Sequence, residues 1–262
     1  MKGVSDMGKA RILILGGTTE ARRLAEALAG RADLDIVLSL AGRTSDPAPQ
    51  AVPVRSGGFG GGEGLARYLT DEAFDLLVDA THPFAARISA NAADAVSRCG
   101  VAAFALRRPA WQPVPGDRWH AVRNVPEAIA ALGPSPRRVF LAIGRQEAHY
   151  ANAAPFHHYW VRSVDPVEPA LTVPDVAYIH AKGPFRVEDE LEMLRQSAIE
   201  VIVAKNSGGS ATYAKIEAAR QLGIEVIMIE RAQAAGLAVV ETVEAALHRI
   251  DHLASSLMKR GV

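Results

Sequence analysis

The sequence contains very little cysteine: Cys99 is the only one among 262 residues. A single thiol cannot form an intramolecular disulfide, and it cannot build a cysteine cluster that would hold zinc or an iron–sulfur centre. The adjacent histidines His157 and His158 lack spaced carboxylate partners, so we predict no metal site.

The sequence also lacks an excess of charge of either sign, because 29 basic side chains are balanced by 29 acidic ones. Nucleic-acid binding requires a basic surplus or a concentrated basic stripe, so we expect no nucleic-acid partner. A few arginines in one cleft would still be enough to bind a small anionic ligand.

Long hydrophobic runs are missing as well. No apolar stretch approaches the span of a bilayer, and residues 1–10 lack the apolar core of a signal peptide. We therefore expect no membrane association and a cytoplasmic protein.

Motifs for covalent and phosphoryl-transfer catalysis are absent too. The chain has no G-x-S-x-G elbow, no Walker lysine motif and no H-E-x-x-H pair. Tyr213 and Lys215 are too close for the Tyr-x-x-x-Lys pair of short-chain reductases, which leaves that class as a disfavoured alternative. Hydride transfer by a bound cofactor needs no protein nucleophile and is consistent with these absences.

Short apolar runs alternate with helical patterns through most of the chain. The predicted strands are Arg11–Leu15, Asp35–Ser39, Asp75–Asp79, Ala103–Leu106, Arg138–Ala142, Tyr159–Ser163, Ala177–Ala181, Glu200–Ala204 and Glu225–Ile229. The predicted helices are Thr19–Ala29, Phe84–Arg98, Val187–Ser197, Ser210–Leu222 and Val243–Leu257. This alternation predicts an α/β protein with mostly parallel sheets and right-handed crossovers.

Prolines interrupt the alternation once. The segment Arg108–Arg118 contains three prolines and a glycine, and it cannot continue a helix or a central strand. We place the domain boundary there. Residues 1–112 are predicted to form a dinucleotide-binding domain and residues 113–262 a substrate-binding domain, both Rossmann-like.

A glycine turn follows the first predicted strand directly. The residues Gly16, Gly17, Thr18, Thr19 and Glu20 lead into a helix, where backbone N–H groups can approach a pyrophosphate. Thr18 replaces the middle glycine of the usual G-x-G-x-x-G/A pattern, and its hydroxyl could donate to phosphate. The alternative is a plain strand–helix turn in which Thr18 or Thr19 is the N-cap.

The end of the second predicted strand favours NADPH over NADH. A carboxylate normally stands there to bind the ribose hydroxyls of NAD, but Asp33 and Asp35 precede this strand. At its end lie Ser39, Gly42 and Arg43, a set that suits a 2′-phosphate. Arg43 as a solvated loop residue remains the alternative.

Two more loops are expected at the carboxyl edge of the first sheet. The SGGFGGG loop has five glycines in seven residues, so Gly58 and Phe59 can follow a ligand closely. In the DATHPFA loop, Thr81 and His82 follow a strand, and Pro83 suits the first turn of a helix. His82 could orient a substrate or supply a proton, or it could simply cap the helix.

Read together, these motifs resemble one family. GGTTEA, SLAGR, GGFGG, DATHPFA, RPAW and KNSGG occur in the order found in the precorrin-6A reductases of cobalamin biosynthesis, and the resemblance covers essentially the whole chain. It implies two Rossmann-like domains with an active-site cleft between them. It also implies NADPH-dependent reduction of a double bond in precorrin-6A, a polycarboxylate tetrapyrrole. The cobalt-precorrin-6A reductases would carry the same motifs, so a cobalt-containing substrate stays open.

The resemblance also assigns roles to residues. It places the phosphates at Gly16 to Glu20, the adenosine at Ser39 to Arg43, and the nicotinamide near the two later loops. The candidates on the nicotinamide side are Gly58, Phe59, Thr81 and His82.

In the second domain, the KNSGG turn again precedes a helix, and it suits the carboxylates of a precorrin. The substrate-binding candidates are His82, Arg145, Lys182, Lys205, Asn206, Ser207 and Gly208. The alternative is a purely structural turn, in which Ser207 or Ser210 is the N-cap of the helix beside a surface lysine. The proton that completes the reduction would come from His82, Tyr213 or water.

Two further alternatives concern the partners of the protein. A non-catalytic NADP-sensing module would bind the dinucleotide without turning over a substrate. A direct hand-off of the product to neighbouring pathway enzymes is compatible with the resemblance and is also left open.

Overall fold

The structure is a computed structural model that describes residues 9–42, 49–232 and 236–260. The strands are β1 (Ala10–Leu15), β2 (Leu34–Leu40), β3 (Val54–Ser56), β4 (Leu76–Asp79), β5 (Ala102–Leu106), β6 (Trp119–Val122), β7 (Arg138–Ala142), β8 (His158–Ser163), β9 (Val176–His180), β10 (Val201–Lys205), β11 (Glu225–Ile229) and β12 (Val239–Val240). The helices are α1 (Thr19–Leu28), α2 (Gly61–Asp71), α3 (Ala86–Cys99), α4 (Val125–Ala130), α5 (Val187–Gln196), α6 (Ala214–Leu222) and α7 (Val243–Arg260). Short 3₁₀ helices span Ala148–Ala153 and Ser210–Thr212.

The first sheet has six parallel strands in the order β12-β5-β4-β1-β2-β3. Ile12 of β1 lies opposite Ile36 of β2 on one side and opposite Leu76 of β4 on the other. The chain therefore builds outward from β1 in both directions. In sheets of this kind, ligands bind outside the carboxyl ends of the strands at the point where the order reverses, which here lies between β1 and β4.

The second sheet repeats the architecture with six parallel strands in the order β6-β11-β10-β7-β8-β9. Here β7 takes the central position, and the order reverses between β7 and β10. The two sheets confirm the predicted α/β class with mostly parallel strands.

Local sequence explains why α1 forms and how it packs. The side chain of Thr18 accepts a hydrogen bond from the N–H of Ala21, so it caps the first turn. The buried residues recur at helical spacing: Ala21, Leu24, Ala25 and Leu28. They pack against apolar side chains of β1 and β2 in one cluster, and burial of each leucine contributes about 2 kcal/mol.

The predicted domain limits are wrong at the C-terminal end. The chain divides into unit 1, which comprises the segment up to Pro109 and the C-terminal segment, and unit 2, Ala110–Ala232. In unit 1, β12 pairs with β5, and α7 buries Ala246 and Ile250 in the same apolar cluster as α1. Residues 236–260 therefore do not belong to the predicted second domain. Periodicity identifies α7 as a helix, but it does not indicate which sheet the helix covers.

All nine predicted strands are present, with ends that differ by at most one residue. The elements that the prediction omitted are short or rich in glycine and proline: β3, β6, β12, α2 and α4. Such elements give too few periods of an apolar pattern to be read from sequence alone. The predicted helices at Phe84 and Ser210 begin later, at Ala86 and Ala214. Pro83 therefore precedes its helix instead of opening it.

Gly64, in α2 just after the SGGFGGG loop, allows a close contact that the prediction did not include. A Cβ atom on Gly64 would lie 1.7 Å from the carbonyl oxygen of Phe59. The first turn of α2 therefore packs directly against the loop that precedes it. The last glycines of the motif, Gly61 and Gly62, are the start of α2.

Among the residues that the structure describes, no helix combines the length and the apolar content needed to span a bilayer.

Ile250→Ala is expected to destabilise unit 1 by about 2–5 kcal/mol, because Ile250 is fully buried and its removal leaves a cavity. Hydrogen exchange measured by mass spectrometry should show faster exchange in β1 and β5. The matched control is His252→Ala, an exposed position of the same helix, which is expected to change stability by less than about 0.5 kcal/mol. Unchanged exchange in both strands would contradict the packing of α7 in unit 1.

Candidate functional site

Unit 1 contains a cavity of about 500 Å³ at the carboxyl edge of its sheet. The cavity is lined by Leu15, Gly16, Ser39, Ala41, Gly57, Gly58, Phe59, Gly60, Gly61, Leu65, Thr81, Arg87, Ile88 and Asn91. The loops after four neighbouring strands, β1 to β4, and the start of α3 all contribute to this lining. A cavity of this size at the strand-order reversal is the typical place for a small-molecule or cofactor site.

The structure brings five predicted residues together in this lining. They are Gly16, Ser39, Gly58, Phe59 and Thr81. The other predicted residues of unit 1 that the structure describes lie outside the lining: Gly17, Thr18, Thr19, Glu20, Gly42 and His82. Arg43 lies outside the described residues.

The glycine turn after β1 is tightly packed. The N–H of Gly16 donates to the carbonyl of Ser39 at 2.9 Å, and a Cβ atom on Gly16 would lie 2.6 Å from Leu38 Cδ1. Gly17 has φ +110°, a conformation that favours glycine. The N–H groups of Thr19 and Glu20 follow at the start of α1, where a helix has no internal acceptors for its first N–H groups.

Both of the hydrogen-bonding roles of the Thr18 hydroxyl are structural. Its oxygen accepts from the N–H of Ala21 at 3.1 Å, and its proton is donated to the carbonyl of Ala80 at 2.8 Å. The N-cap alternative for Thr18 therefore describes this side chain, and its hydroxyl proton is not available to a phosphate. The bond to Ala80 joins the two loops on either side of the strand-order reversal.

The carboxylate of Glu20 forms an ion pair with Arg108. The two side chains are largely buried within unit 1, so the pair anchors the first turn of α1 to the segment after β5. The predicted contribution of Glu20 to cofactor binding can then come from its backbone N–H only.

Arg55 is a site residue that the sequence analysis missed. Its guanidinium donates to Ser39 Oγ at 3.1 Å and to the carbonyls of Gly57 and Gly58 at 2.8 and 2.9 Å. It also lies over the ring of Phe59, 3.7 Å from the centroid. Within the described residues no carboxylate pairs with Arg55. A net positive charge therefore stands beside the Ser39 end of the cavity.

Arg87 and Asn91 were also missed. Both lie on the first two turns of α3 and line the cavity one helical turn apart. Arg87 forms no ion pair with any described residue, and a cation in the first turn of a helix opposes the helix dipole. The spacing of four residues on a predicted helix was a signal that could have identified this pair.

The loop after β4 is held by a buried ion pair. Asp79 is 1% exposed and Arg107 is 9% exposed, and their carboxylate and guanidinium groups form a hydrogen-bonded ion pair. Arg107 Nη1 also donates to the carbonyls of Asp79 and Thr81 at 2.8 and 3.1 Å, and Nη2 donates to Ser89 Oγ at 2.7 Å. This network fixes the backbone that carries Thr81 and His82.

His82 has a local structural contact. Its Nδ1 accepts a hydrogen bond from the N–H of Phe84 at 3.3 Å, and its carbonyl accepts from the N–H of Ala85 at 2.7 Å. A ring that accepts at Nδ1 carries its proton on Nε2 when it is neutral. The side chain therefore shapes the turn and keeps one N–H that points away from it.

In unit 2, two of the three predicted cations at the carboxyl edge are paired with acids. Lys205, the last residue of β10, forms an ion pair with Glu147, and Arg145, after β7, lies 3.9 Å from a carboxylate oxygen of Asp165. The first pair bridges the two loops on either side of the strand-order reversal. Lys182 is exposed, and among the described residues no acid pairs with it.

The remaining predicted residues of unit 2 are mainly held by the fold. The side-chain amide of Asn206 accepts from the N–H of Trp111 at 2.8 Å and donates to its carbonyl at 3.1 Å. Ser207 is buried, with its Oγ 3.4 Å from Thr212 Oγ1, and Gly208 has φ +70°. Tyr213 accepts a hydrogen bond from Arg220 at 2.6 Å, so its own hydroxyl proton is still available for donation.

A buried charged cluster lies beneath this edge of unit 2. Arg162 pairs with Glu190 through two hydrogen bonds, and Lys215 Nζ donates to the carbonyl of Thr212 at 2.6 Å. The ammonium group also lies 5.1 Å from the centroid of the Trp111 ring. Burial lowers the pKa of Lys215 to about 8, Glu190 acts in the opposite direction, and Arg162 lowers it further.

Comparisons with known proteins agree on one family. A family model described as precorrin-6x reductase CbiJ/CobK matches residues 11–251. A precorrin-6A reductase of a Sinorhizobium species is 62% identical over 95% of each chain. One from Rhodobacter capsulatus is 51% identical over 84% of this chain and 88% of its own. A solved structure described as CobK precorrin-6A reductase has a TM-score of 0.88 at 47% identity and covers 93% of this chain and 97% of that chain.

Lys215→Met is expected to remove a pH dependence of stability. The unfolded chain binds a proton at Lys215 up to its ordinary pKa of 10.5, whereas the folded chain releases it near pH 8. The free energy of unfolding should therefore rise between about pH 8 and 10.5 in the original protein, by on the order of 2–3 kcal/mol.

Urea unfolding followed by tryptophan fluorescence measures this effect, because all three tryptophans lie in unit 2. The rise should be absent in Lys215→Met and retained in the control Lys182→Met, which changes an exposed lysine. The same rise in both variants would assign it to other groups.

Proposed function

The chain belongs to the precorrin-6x reductase family, and from this we propose that it reduces a carbon–carbon double bond of precorrin-6A with NADPH in cobalamin biosynthesis. The observation that carries the proposal is the cavity of unit 1, where the glycine turn, Ser39, the SGGFGGG loop and Thr81 meet. Both relatives described above are precorrin-6A reductases, which supports the cobalt-free substrate.

The residues of the cavity suit a dinucleotide. A Cβ atom on Gly16 would displace Leu38 Cδ1, and the start of α1 offers N–H groups to a pyrophosphate. Bound NADPH would supply the hydride, and a proton from the protein or from water would complete the addition of two hydrogen atoms. The residues of the chain bind, orient and shield the reacting groups.

The charges at the Ser39 end favour the 2′-phosphate of NADPH. A serine stands where NAD sites carry a carboxylate, and the Arg55 guanidinium donates to that serine. Arg43 lies three residues after Leu40 in the sequence, and we propose it as a second guanidinium that binds the 2′-phosphate. Arginine suits this task because its fixed donors match the oxygens of a phosphate.

For the substrate, we assign the carboxylates of the macrocycle to the cations at the carboxyl edge of unit 2. Lys182 is exposed there, while Lys205 and Arg145 would exchange Glu147 and Asp165 for substrate carboxylates. The backbone N–H groups at Ser207 and Gly208 belong to the same proposal.

Two side chains are the proposed proton sources. Tyr213 can donate its hydroxyl proton while Arg220 stabilises the phenolate that remains. His82 in its neutral form holds a proton on Nε2. Tyr213→Phe and His82→Gln would separate these two roles in a reaction followed at several pH values.

The reaction itself is the first test. Purified protein mixed with NADPH and precorrin-6A should lose nicotinamide absorbance in step with a change in the macrocycle spectrum. A parallel reaction with cobalt-precorrin-6A distinguishes the two substrates, and the cobalt-free one should react faster. Dinucleotide binding with no change in the macrocycle would instead identify an NADP-sensing module.

Arg43→Ala is expected to raise the KM for NADPH by about 10- to 100-fold, because it removes charge-assisted hydrogen bonds to the 2′-phosphate. The KM for NADH should change less than about twofold. Steady-state kinetics with both cofactors measures this difference. Arg22→Ala, on the exposed side of α1, is the control and should affect neither value. Equal effects of Arg43→Ala on both cofactors would contradict the 2′-phosphate role.

A further inference from the structure

We propose that the Thr81 hydroxyl acts toward a ligand only as a hydrogen-bond acceptor, and that it accepts from the carboxamide N–H of the nicotinamide. Asp79 and Arg107 hold the hydroxyl in this orientation. The inference rests on the proposed function, because it concerns a nicotinamide cofactor in the cavity of unit 1. It adds a direction of hydrogen bonding at Thr81 and assigns positioning roles to Asp79 and Arg107, which the sequence analysis did not assign.

The proton of the Thr81 hydroxyl is committed to Asp79. Thr81 Oγ1 lies 2.7 Å from Asp79 Oδ1, and the N–H of Thr81 donates to the same oxygen at 3.1 Å. An ionised carboxylate accepts hydrogen bonds and donates none. The hydroxyl must therefore donate in this contact, and its proton faces away from any ligand.

Arg107 forms an ion pair with Asp79. The carboxylate is almost completely buried, and an unpaired charge in such a place would be costly. Arg107 Nη2 donates to the second oxygen of Asp79, so each carboxylate oxygen has its own donors. The same guanidinium donates to the carbonyls of Asp79 and Thr81. One buried cation thus binds both the carboxylate of Asp79 and the backbone around Thr81.

In this proposal the remaining lone pairs of Thr81 Oγ1 face the cavity that the residue lines. A hydroxyl has one proton and two acceptor sites, and Thr81 is 4% exposed while still lining the cavity. A ligand group at this point must donate an N–H or O–H, because a second acceptor would face an oxygen with no proton to share. The carboxamide of nicotinamide has such N–H groups, whereas a ring with an acetyl group in its place has none.

Binding measurements with the dinucleotide alone, without the tetrapyrrole substrate, test whether the Thr81 hydroxyl acts as an acceptor. Calorimetry gives the Kd of NADP⁺ and of its 3-acetylpyridine analogue, in which a methyl group replaces the carboxamide nitrogen. The original protein should bind the analogue at least about 10-fold more weakly, because an acceptor is left unpaired. Thr81→Val, which has nearly the same shape, should bring the two Kd values within about threefold of each other.

Thr81→Ser and Asp79→Asn are the matched variants. Thr81→Ser keeps the hydroxyl and should keep the discrimination against the analogue. In Asp79→Asn the side chain keeps an oxygen for Arg107 and turns its amide NH₂ group toward Thr81. That group can donate to the Thr81 hydroxyl, while the N–H of Thr81 loses its acceptor. The Thr81 proton would then turn toward the cavity, and the ratio of the two Kd values should fall as in Thr81→Val. Circular dichroism shows whether each variant is folded.

The outcomes separate this inference from the proposed function. If the original protein binds neither dinucleotide, the proposed function fails and the inference with it. If both bind but Thr81→Val discriminates as strongly as the original protein, the inference alone is overturned. Equal loss of discrimination in Thr81→Ser and Thr81→Val would assign Thr81 a packing role and would also overturn it.

Discussion

The hydrogen bond from the Thr18 hydroxyl to the Ala80 carbonyl holds the candidate site of unit 1 together. β1 and β4 are neighbours in the sheet, but β2 and β3 lie between them in the sequence. The loops after β1 and β4 are therefore distant along the chain and meet only through noncovalent contacts. Thr18 makes that connection and caps α1 at the same time. The glycine turn and the loop that carries Thr81 are therefore connected by this side chain and by the hydrogen bond that the N–H of Ala80 donates to the Leu15 carbonyl at 2.9 Å.

The two units use one architecture with different charge arrangements. In unit 1, Arg55 and Arg87 lie at the cavity without an acidic partner among the described residues, as suits the binding of an anionic ligand. In unit 2, Lys205 and Arg145 are matched by Glu147 and Asp165. Paired cations keep the edge neutral until a ligand carboxylate replaces the protein's own, whereas unpaired cations attract an anion from a distance.

Along the sequence, unit 2 is inserted between β5 and β12, two strands of the sheet of unit 1. β12 and α7 complete unit 1 only after the chain has passed through unit 2. The apolar cluster shared by β1, α1, β5 and α7 includes residues more than two hundred positions apart, Ile12 and Ile250 among them. Such distant contacts carry a loop-closure cost that is independent of local propensity.

The sequence alone determined the features that depend on neighbouring residues. It predicted the alternation of strands and helices, the glycine turn with Thr18 as a possible cap, and a proline-rich boundary within Arg108–Arg118, because apolar period, capping and proline act within a few positions. It also predicted that Ser39 at the end of a strand and the loops that carry Gly16, Phe59 and Thr81 lie at the carboxyl edge of one sheet. Only the tertiary structure decided that α7 belongs to unit 1, that Arg55 stands beside Ser39, and that Arg107 pairs with Asp79. These depend on which strands become neighbours, and pairing between distant segments leaves no period in the sequence.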